Sequence, residues 1–174
     1  MDRITEKPRL ATVWLDGCSG CHMSLLDIDE AIISLGSKTD IVYGPLVDAQ
    51  EFPEHVDITL VEGAISSEDD LHRLRTIRKR TRVLVSLGDC AVTGNVPAMR
   101  NNIPVSQLLQ SVYVDGADTE QLIPNDSLPV LREQVRPLRE FVKVDYWLPG
   151  CPPSANTILG FITDLLEGRE PASR

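Results

Sequence analysis

An open α/β fold, with a mainly parallel sheet covered by helices on both faces, is predicted by three observations. Strand and helix signals alternate along most of the chain, and the strands are short, almost continuous apolar runs, as expected when both faces of a sheet are buried. The third is the placing of four cysteines, Cys18, Cys21, Cys90 and Cys151, each just past the end of a predicted strand and beside or near a glycine.

Leu10 to Leu15 reads as the first buried strand and closes at Asp16-Gly17. A helix is expected from Ser24, with Leu25, Ile28, Ile32 and Leu35 on one face and Gly36 as its stop. Ile41 to Tyr43 is a short strand, and Asp57 to Val61 a stronger one that ends in Glu62-Gly63. The next helix starts at Ser66 or Ser67, carries Glu68, Asp69 and Asp70 in its first turn, and ends in Arg78, Lys79 and Arg80. That charge order suits the helix dipole, so the basic triplet is expected to be a solvated helix end. Val83 to Leu87 is the following strand and Lys143 to Leu148 the last. The closing helix runs from about Ser154 to Glu167, with Ile158, Leu159, Ile162, Leu165 and Leu166 inward and Gly168 as its stop. From about Asn95 to Glu140 lies a long, proline-rich irregular excursion, with short helices expected at Val105 to Ser111 and Leu131 to Val135. Inside a compact domain such a connection usually has a function, and a surface that wraps a partner is expected.

The chain has 174 residues, enough for one domain with a full core and too few for two ordinary ones, so residues 1–174 are expected to form a single unit. Its hydrophobic content of 42% and charged content of 25% are those of a globular protein. A net charge of -9 argues against nucleic acid or an anionic membrane as partner, because both call for a basic face. No apolar run approaches the roughly 20 residues that span a bilayer. The start, Met-Asp-Arg-Ile-Thr-Glu-Lys-Pro, shows no apolar segment and no Arg-Arg pair, so the chain is expected in the cytoplasm.

A reducing cytosol disfavours structural disulfides, which turns the four cysteines toward metal ligation or redox chemistry. By spacing alone, a four-cysteine set holds either zinc or an iron–sulfur cluster. Structural zinc sites usually use two Cys-x-x-Cys knuckles, whereas here Cys18 and Cys21 form one pair and Cys90 and Cys151 come singly from distant strand ends. Donors spread over three loops better suit a bulky 4Fe–4S cubane, with a zinc-stabilised interaction domain as the alternative.

Asp16-Gly-Cys-Ser-Gly-Cys21, Val61-Glu-Gly-Ala-Ile65, Leu87-Gly-Asp-Cys90 and Pro149-Gly-Cys-Pro-Pro153, in this order, resemble the small subunit of nickel–iron hydrogenases. The resemblance covers about Leu10 to Glu167. It implies a flavodoxin-like, doubly wound domain with one 4Fe–4S cluster held by Cys18, Cys21, Cys90 and Cys151, and with Glu62, Gly17, Gly63 and Gly150 around it. It also implies that hydrogen is split at a nickel–iron centre in a separate, obligate large subunit, leaving electron relay to this chain. Membrane-linked and periplasmic small subunits carry a twin-arginine leader and a further C-terminal domain, whereas this chain stops at Arg174, so one cluster is expected. The stretch Leu15-Asp-Gly-Cys-Ser-Gly-Cys-His-Met-Ser-Leu-Leu-Asp27 most resembles the short small (delta) subunit of soluble, bidirectional NAD-reducing hydrogenases. That implies diaphorase subunits bearing FMN, their own clusters and the NAD site. A hydrogen sensor, or a viologen- or deazaflavin-linked module, is the alternative. The relative in respiratory complex I has an adjacent Cys-Cys pair where this chain has Cys-x-x-Cys.

Glu62 follows a strand and should reach the edge that carries the cysteines. Its carboxylate either accepts backbone N–H groups in the turn before Ala64, or acts beside the cluster through charge, proton movement or ligation. His22, next to a ligand, is expected either to donate to a cluster sulfur or to face solvent, and His55 and His72 to lie on the surface. Trp14 and Trp147 precede ligand loops and are expected in the core, where they would also keep water from the cluster. Asp16, Asp27, Asp29 and Glu30 form an acidic stretch, either solvated or facing the large subunit. Flavin is not expected in this chain, because the first strand leads into Cys-Ser-Gly-Cys rather than a Ser/Thr-rich phosphate loop.

Overall fold

The computed structural model describes residues 7–119, 122–126 and 128–171. Five strands, β1 (Arg9–Trp14), β2 (Asp40–Tyr43), β3 (Val56–Glu62), β5 (Thr81–Leu87) and β7 (Tyr146–Leu148), lie parallel in the order β2-β1-β3-β5-β7. Counting only these five, the order is the 2-1-3-4-5 of flavodoxin-like sheets. Strand side chains alternate between two apolar layers. Ala11, Val13, Val61 and Leu84 pack with Leu71, Leu74 and Ile77 of helix α3 (Glu68–Arg80) on one face. Leu10, Ile58, Leu60, Val85 and Leu87 pack on the other with Leu25 of α1 (Gly20–Leu26), Leu35 of α2 (Ala31–Lys38) and Ile158, Phe161 and Ile162 of α6 (Ala155–Leu166). Two buried faces require apolar residues at successive positions, which is why these strands do not alternate in polarity.

The single helix expected after the first strand is two. α1 begins inside the cysteine motif at Gly20, and the chain breaks at Asp29, whose φ is 52°. Gly36 is not a stop but an interior residue of α2, which ends where Thr39 donates both its backbone N–H and its hydroxyl to the Leu35 carbonyl at 2.9 Å. α3 starts as the sequence predicts. Ser67 is its N-cap and exchanges hydrogen bonds with Asp70, giving a capping box. Its basic end is less free than expected. Arg78 reaches Asp145 at 2.6 Å, and Arg80 pairs with Glu54 at 2.8 Å.

The excursion is more ordered than the sequence suggests. Leu131 to Val135 is not helical; Leu131–Arg136 forms strand β6, antiparallel to β4 (Ile65–Ser67). Long-range partners decide this against local propensity. Asn101 brackets Val135 from both sides, at 2.7 and 2.9 Å, and the Arg100 guanidinium donates to the Ser66 and Arg132 carbonyls. The short helix at Val105 is present as α5 (Val105–Gln110) and runs on into a wider π turn over Ser111–Asp115. Ahead of the excursion, β5 leads into α4 (Gly88–Thr93).

β7 is shorter than predicted because the Asp145 side chain, not the backbone, takes the Leu84 N–H at 2.9 Å. Burial pushes the Asp145 carboxyl up, but that N–H, the Arg78 guanidinium and Lys143 outweigh it and hold it below the usual range. A depressed folded-state value stabilises at pH above the ordinary carboxylate range, near 4, and the contribution is lost as pH falls through the folded value. Asp145→Asn should therefore cost about 1–3 kcal/mol at neutral pH, measured by urea unfolding, and the cost should vanish in acid.

Candidate metal centre

In an open α/β sheet the ligand crevice lies outside the carboxyl ends of the strands, where the strand order reverses. Here the chain leaves β1 toward β2 on one side, while β3 leads to β5 on the other. The exits of β1 and β3 are stitched together. The Leu15 N–H donates to the Glu62 carbonyl at 3.0 Å, and Asp16 and Ala64 form a bridge. A Cβ on Gly17 would stand 3.2 Å from the Gly63 Cα, and one on Gly63, at φ +91°, would stand 2.7 Å from the Leu15 carbonyl carbon. Only glycine lets the two exits run this close. The result sets the Cys18 loop directly against the end of β3.

α1 then opens without a side-chain cap of its own, with Ser19 in the left-handed region at φ 63°. The missing acceptor comes from another strand. The Glu62 carboxylate, 2% exposed, accepts the His22 N–H through Oε2 at 2.7 Å and meets His22 Nδ1 at 2.6 Å. Glu62 is thus not the acceptor for the turn before Ala64, whose N–H goes to the Asp16 carbonyl. Nor does His22 face solvent, since its side chain is 13% exposed.

The other two cysteines arrive from β5 and β7. Cys90 lies on α4, and Cys151 follows β7. The Asp89 N–H donates to the Gly150 carbonyl at 2.9 Å and the Gly150 N–H returns to Asp89 Oδ1 at 2.8 Å, pinning the two loops together. Ser24 of α1 donates to the Pro153 carbonyl at 2.5 Å, and Asn95 donates to Cys151 Sγ at 3.4 Å. Gly88 is the glycine in closest contact with a thiol, for a Cβ there would fall 2.2 Å from Cys21 Sγ. Gly150, at φ +139°, instead makes room for the chain, its missing Cβ overlapping Pro153. Gly88 and Asp89 stand inside the Leu-Gly-Asp-Cys motif but are not singled out by sequence reading; Asn95 carries no local signal.

Cys18 and Cys151 are exposed and Cys21 and Cys90 half-buried, all four as free thiols. The Cys21 thiol is pushed up to about 12, first by burial and then by the negative charge of Glu62, Cys90, Cys18 and Cys151. Cys90 is raised as well, mainly by burial, against the pull of the Val96 N–H. Bare thiolates therefore repel one another here, and a cationic metal core would reverse the sign of every such interaction. Soft sulfur donors from three loops, a Cβ-free space at Gly88 and mutual electrostatic contact fit an iron–sulfur cluster. Among the described residues no three His, Cys, Asp or Glu side chains close around the position of a single ion.

Other candidates fall outside this centre. His55 and His72 are exposed. Trp14 and Trp147, expected in the core, are 44% and 37% exposed. Trp14 is the last residue of β1 and leans over the Cys18 loop, its Nε1–H donating to the Gly17 carbonyl at 3.0 Å. Asp27, Asp29 and Glu30 are solvated. Among the described residues no helix is long and apolar enough to cross a membrane.

Residues 18–165 match the family model described as NADH ubiquinone oxidoreductase, 20 Kd subunit. The chain is 39% identical over 170 residues to a protein of the F420-non-reducing hydrogenase vhu of Methanocaldococcus jannaschii, covering 97% of this chain but only 59% of that protein's length. It is 38% identical over 168 residues to the delta chain of the NAD-reducing hydrogenase HoxS of Cupriavidus necator, covering 94% and 80%. The fold superposes with a TM-score of 0.92, at 42% identity, on a chain of an NAD+-reducing nickel–iron hydrogenase crystallised in the hydrogen-reduced state, covering 97% of this chain and 96% of that one.

Proposed function

Because the chain belongs to the NADH ubiquinone oxidoreductase 20 Kd subunit family and its relatives are hydrogenase subunits, we propose that it is the electron-transfer small subunit of an NAD-reducing nickel–iron hydrogenase. In this reading Cys18, Cys21, Cys90 and Cys151 hold one 4Fe–4S cluster. A large subunit carries the nickel–iron centre, and diaphorase subunits carry FMN and the NAD site. The cytoplasm is the expected location. What supports the reading is that the cysteine-bearing loops leave β1, β5 and β7 at one end of the parallel sheet, where Asp89 and Gly150 tie the Cys90 and Cys151 loops together.

When bound, the cluster takes up and passes on single electrons. The four cysteines fix it to strand ends whose mutual geometry is set by the sheet, and Trp14 shields the Cys18 loop. Glu62 holds a negative charge beside Cys21. The excursion offers a contact face to the large subunit, since Val96, Met99, Val112, Leu122 and Val130 are all more than half exposed. Iron and acid-labile sulfide analysis of the purified protein, with electron paramagnetic resonance after dithionite reduction, tests the cluster. A colourless protein with one bound zinc would sink it. A second reading, the small subunit of an F420-non-reducing hydrogenase, draws on the 39% identity to the Methanocaldococcus protein of that name. Hydrogen-driven NAD reduction by the assembled complex separates the two.

Glu62→Gln keeps an acceptor oxygen for the His22 N–H but removes the charge. The cluster should assemble normally and its midpoint potential should rise, by roughly 60 mV for each 1.4 kcal/mol of repulsion removed. A redox titration showing equal potentials in the two proteins would reduce Glu62 to a helix cap.

A further inference from the structure

We propose that His22 is a positioning residue for Glu62, a buried clamp that fixes the direction in which the carboxylate charge meets the cysteine cluster. This deepens the cluster-binding reading above and rests on it. Two donors of one residue close on one oxygen: the His22 backbone N–H at 2.7 Å and its ring Nδ1 at 2.6 Å both reach Glu62 Oε2. The ring Nδ1 and Oε2 share one short hydrogen bond, which leaves Nε2 to find a partner elsewhere. That Nε2 is buried and has no hydrogen-bond partner among the described residues. Nothing but Glu62 therefore holds the ring's orientation by hydrogen bonding, and the carboxylate and the ring lock each other.

The lock acts on one oxygen only. Oε1 lies over Gly17, where a Cβ would stand 3.7 Å away, so no side chain at that position restrains it. Held at Oε2 from two points of one residue, the carboxylate lies where its charge pushes the Cys21 thiol up. His22 also follows Cys21 directly on α1, so the same helical turn carries a metal ligand and the clamp on the nearest fixed charge. Without the ring, the backbone N–H alone would hold Glu62 and the carboxylate could turn about that single bond.

The test compares His22→Asn, His22→Gln and His22→Ala in the assembled complex. An asparagine amide nitrogen falls where Nδ1 stands and can rebuild the bond; the glutamine amide falls beyond it, and alanine offers no donor. All three variants should keep wild-type iron, because every thiol is retained. His22→Asn should titrate with the wild type, whereas His22→Gln and His22→Ala should shift the midpoint and broaden the paramagnetic signal. In a Glu62→Gln background, His22→Ala should add no further shift. The clamp is refuted if alanine and glutamine titrate with the wild type, if asparagine shifts as far as alanine, if the shift persists undiminished without the Glu62 charge, or if all three variants lose iron alike. A wild-type protein without iron would instead defeat the cluster reading itself.

Discussion

On the proposed function, Cys90→Ser and Cys151→Ser are each expected to leave the site without iron and to abolish hydrogen-driven NAD reduction by the assembled complex. A serine oxygen is a hard, weakly acidic donor where a soft thiolate is needed. Nor can the loops shift to bring another ligand, because Asp89 and Gly150 tie them together by two backbone-directed hydrogen bonds. Iron and sulfide per chain, with the dithionite-reduced paramagnetic signal, measure the loss. Wild-type iron with activity retained in either variant would remove that cysteine from the ligand set. Cys18→Ser and Cys21→Ser should behave as the other two do.

The parts of this fold that could be read from sequence are those whose cause is local. β1, β3 and β5 are rich in apolar residues at successive positions, and the Ser67 cap with its acidic first turn writes the start of α3 into four residues. The start of α1 is different. Its acceptor is Glu62, forty residues on and in another strand, so nothing near Gly20 announces a helix. β6 fails for the same reason, since apolar Leu131 and Val135 at helical spacing are overruled by the free edge of β4 and by Asn101. At the candidate site, the cysteines and Glu62 stand out by type and by position after strands. Asn95 does not, and His22 stands out only by its place beside Cys21 and not by its partner, because Cys151 and Glu62 meet them only through the sheet.

Gly88→Ala should be the most damaging substitution outside the cysteines. The new methyl carbon would sit 2.2 Å from Cys21 Sγ, and the backbone there holds φ +79°. The left-handed conformation alone costs a non-glycine residue roughly 1–2 kcal/mol, and the thiol must also move off its position. Iron content should fall steeply, and thermal unfolding of the metal-free chain should drop by roughly 2–8 °C. Gly160→Ala is the matched control, since that glycine lies inside α6 with nothing within 4 Å of the added carbon. It should keep full iron and gain up to about 1 kcal/mol from better helix propensity. Equal iron in the two variants would show that the space at Gly88 is not reserved for the thiol.

The pinned exits of β1, β5 and β7 also set a timetable. A chain emerging from the ribosome presents Cys18 and Cys21 first, as a mere pair of neighbouring thiols. Cys90 joins them when β5 has paired with β3, and Cys151 only when β7 has docked on β5, the last addition to the sheet. Contacts so distant along the chain form late and slowly, because loop closure must come before any reward. On the proposed cluster-binding function, loading with iron would therefore be an event of the finished fold rather than of the growing one, and metal affinity would report on strand docking. On that reading, a chain with β7 out of register would leave the ribosome whole, yet would take up no iron.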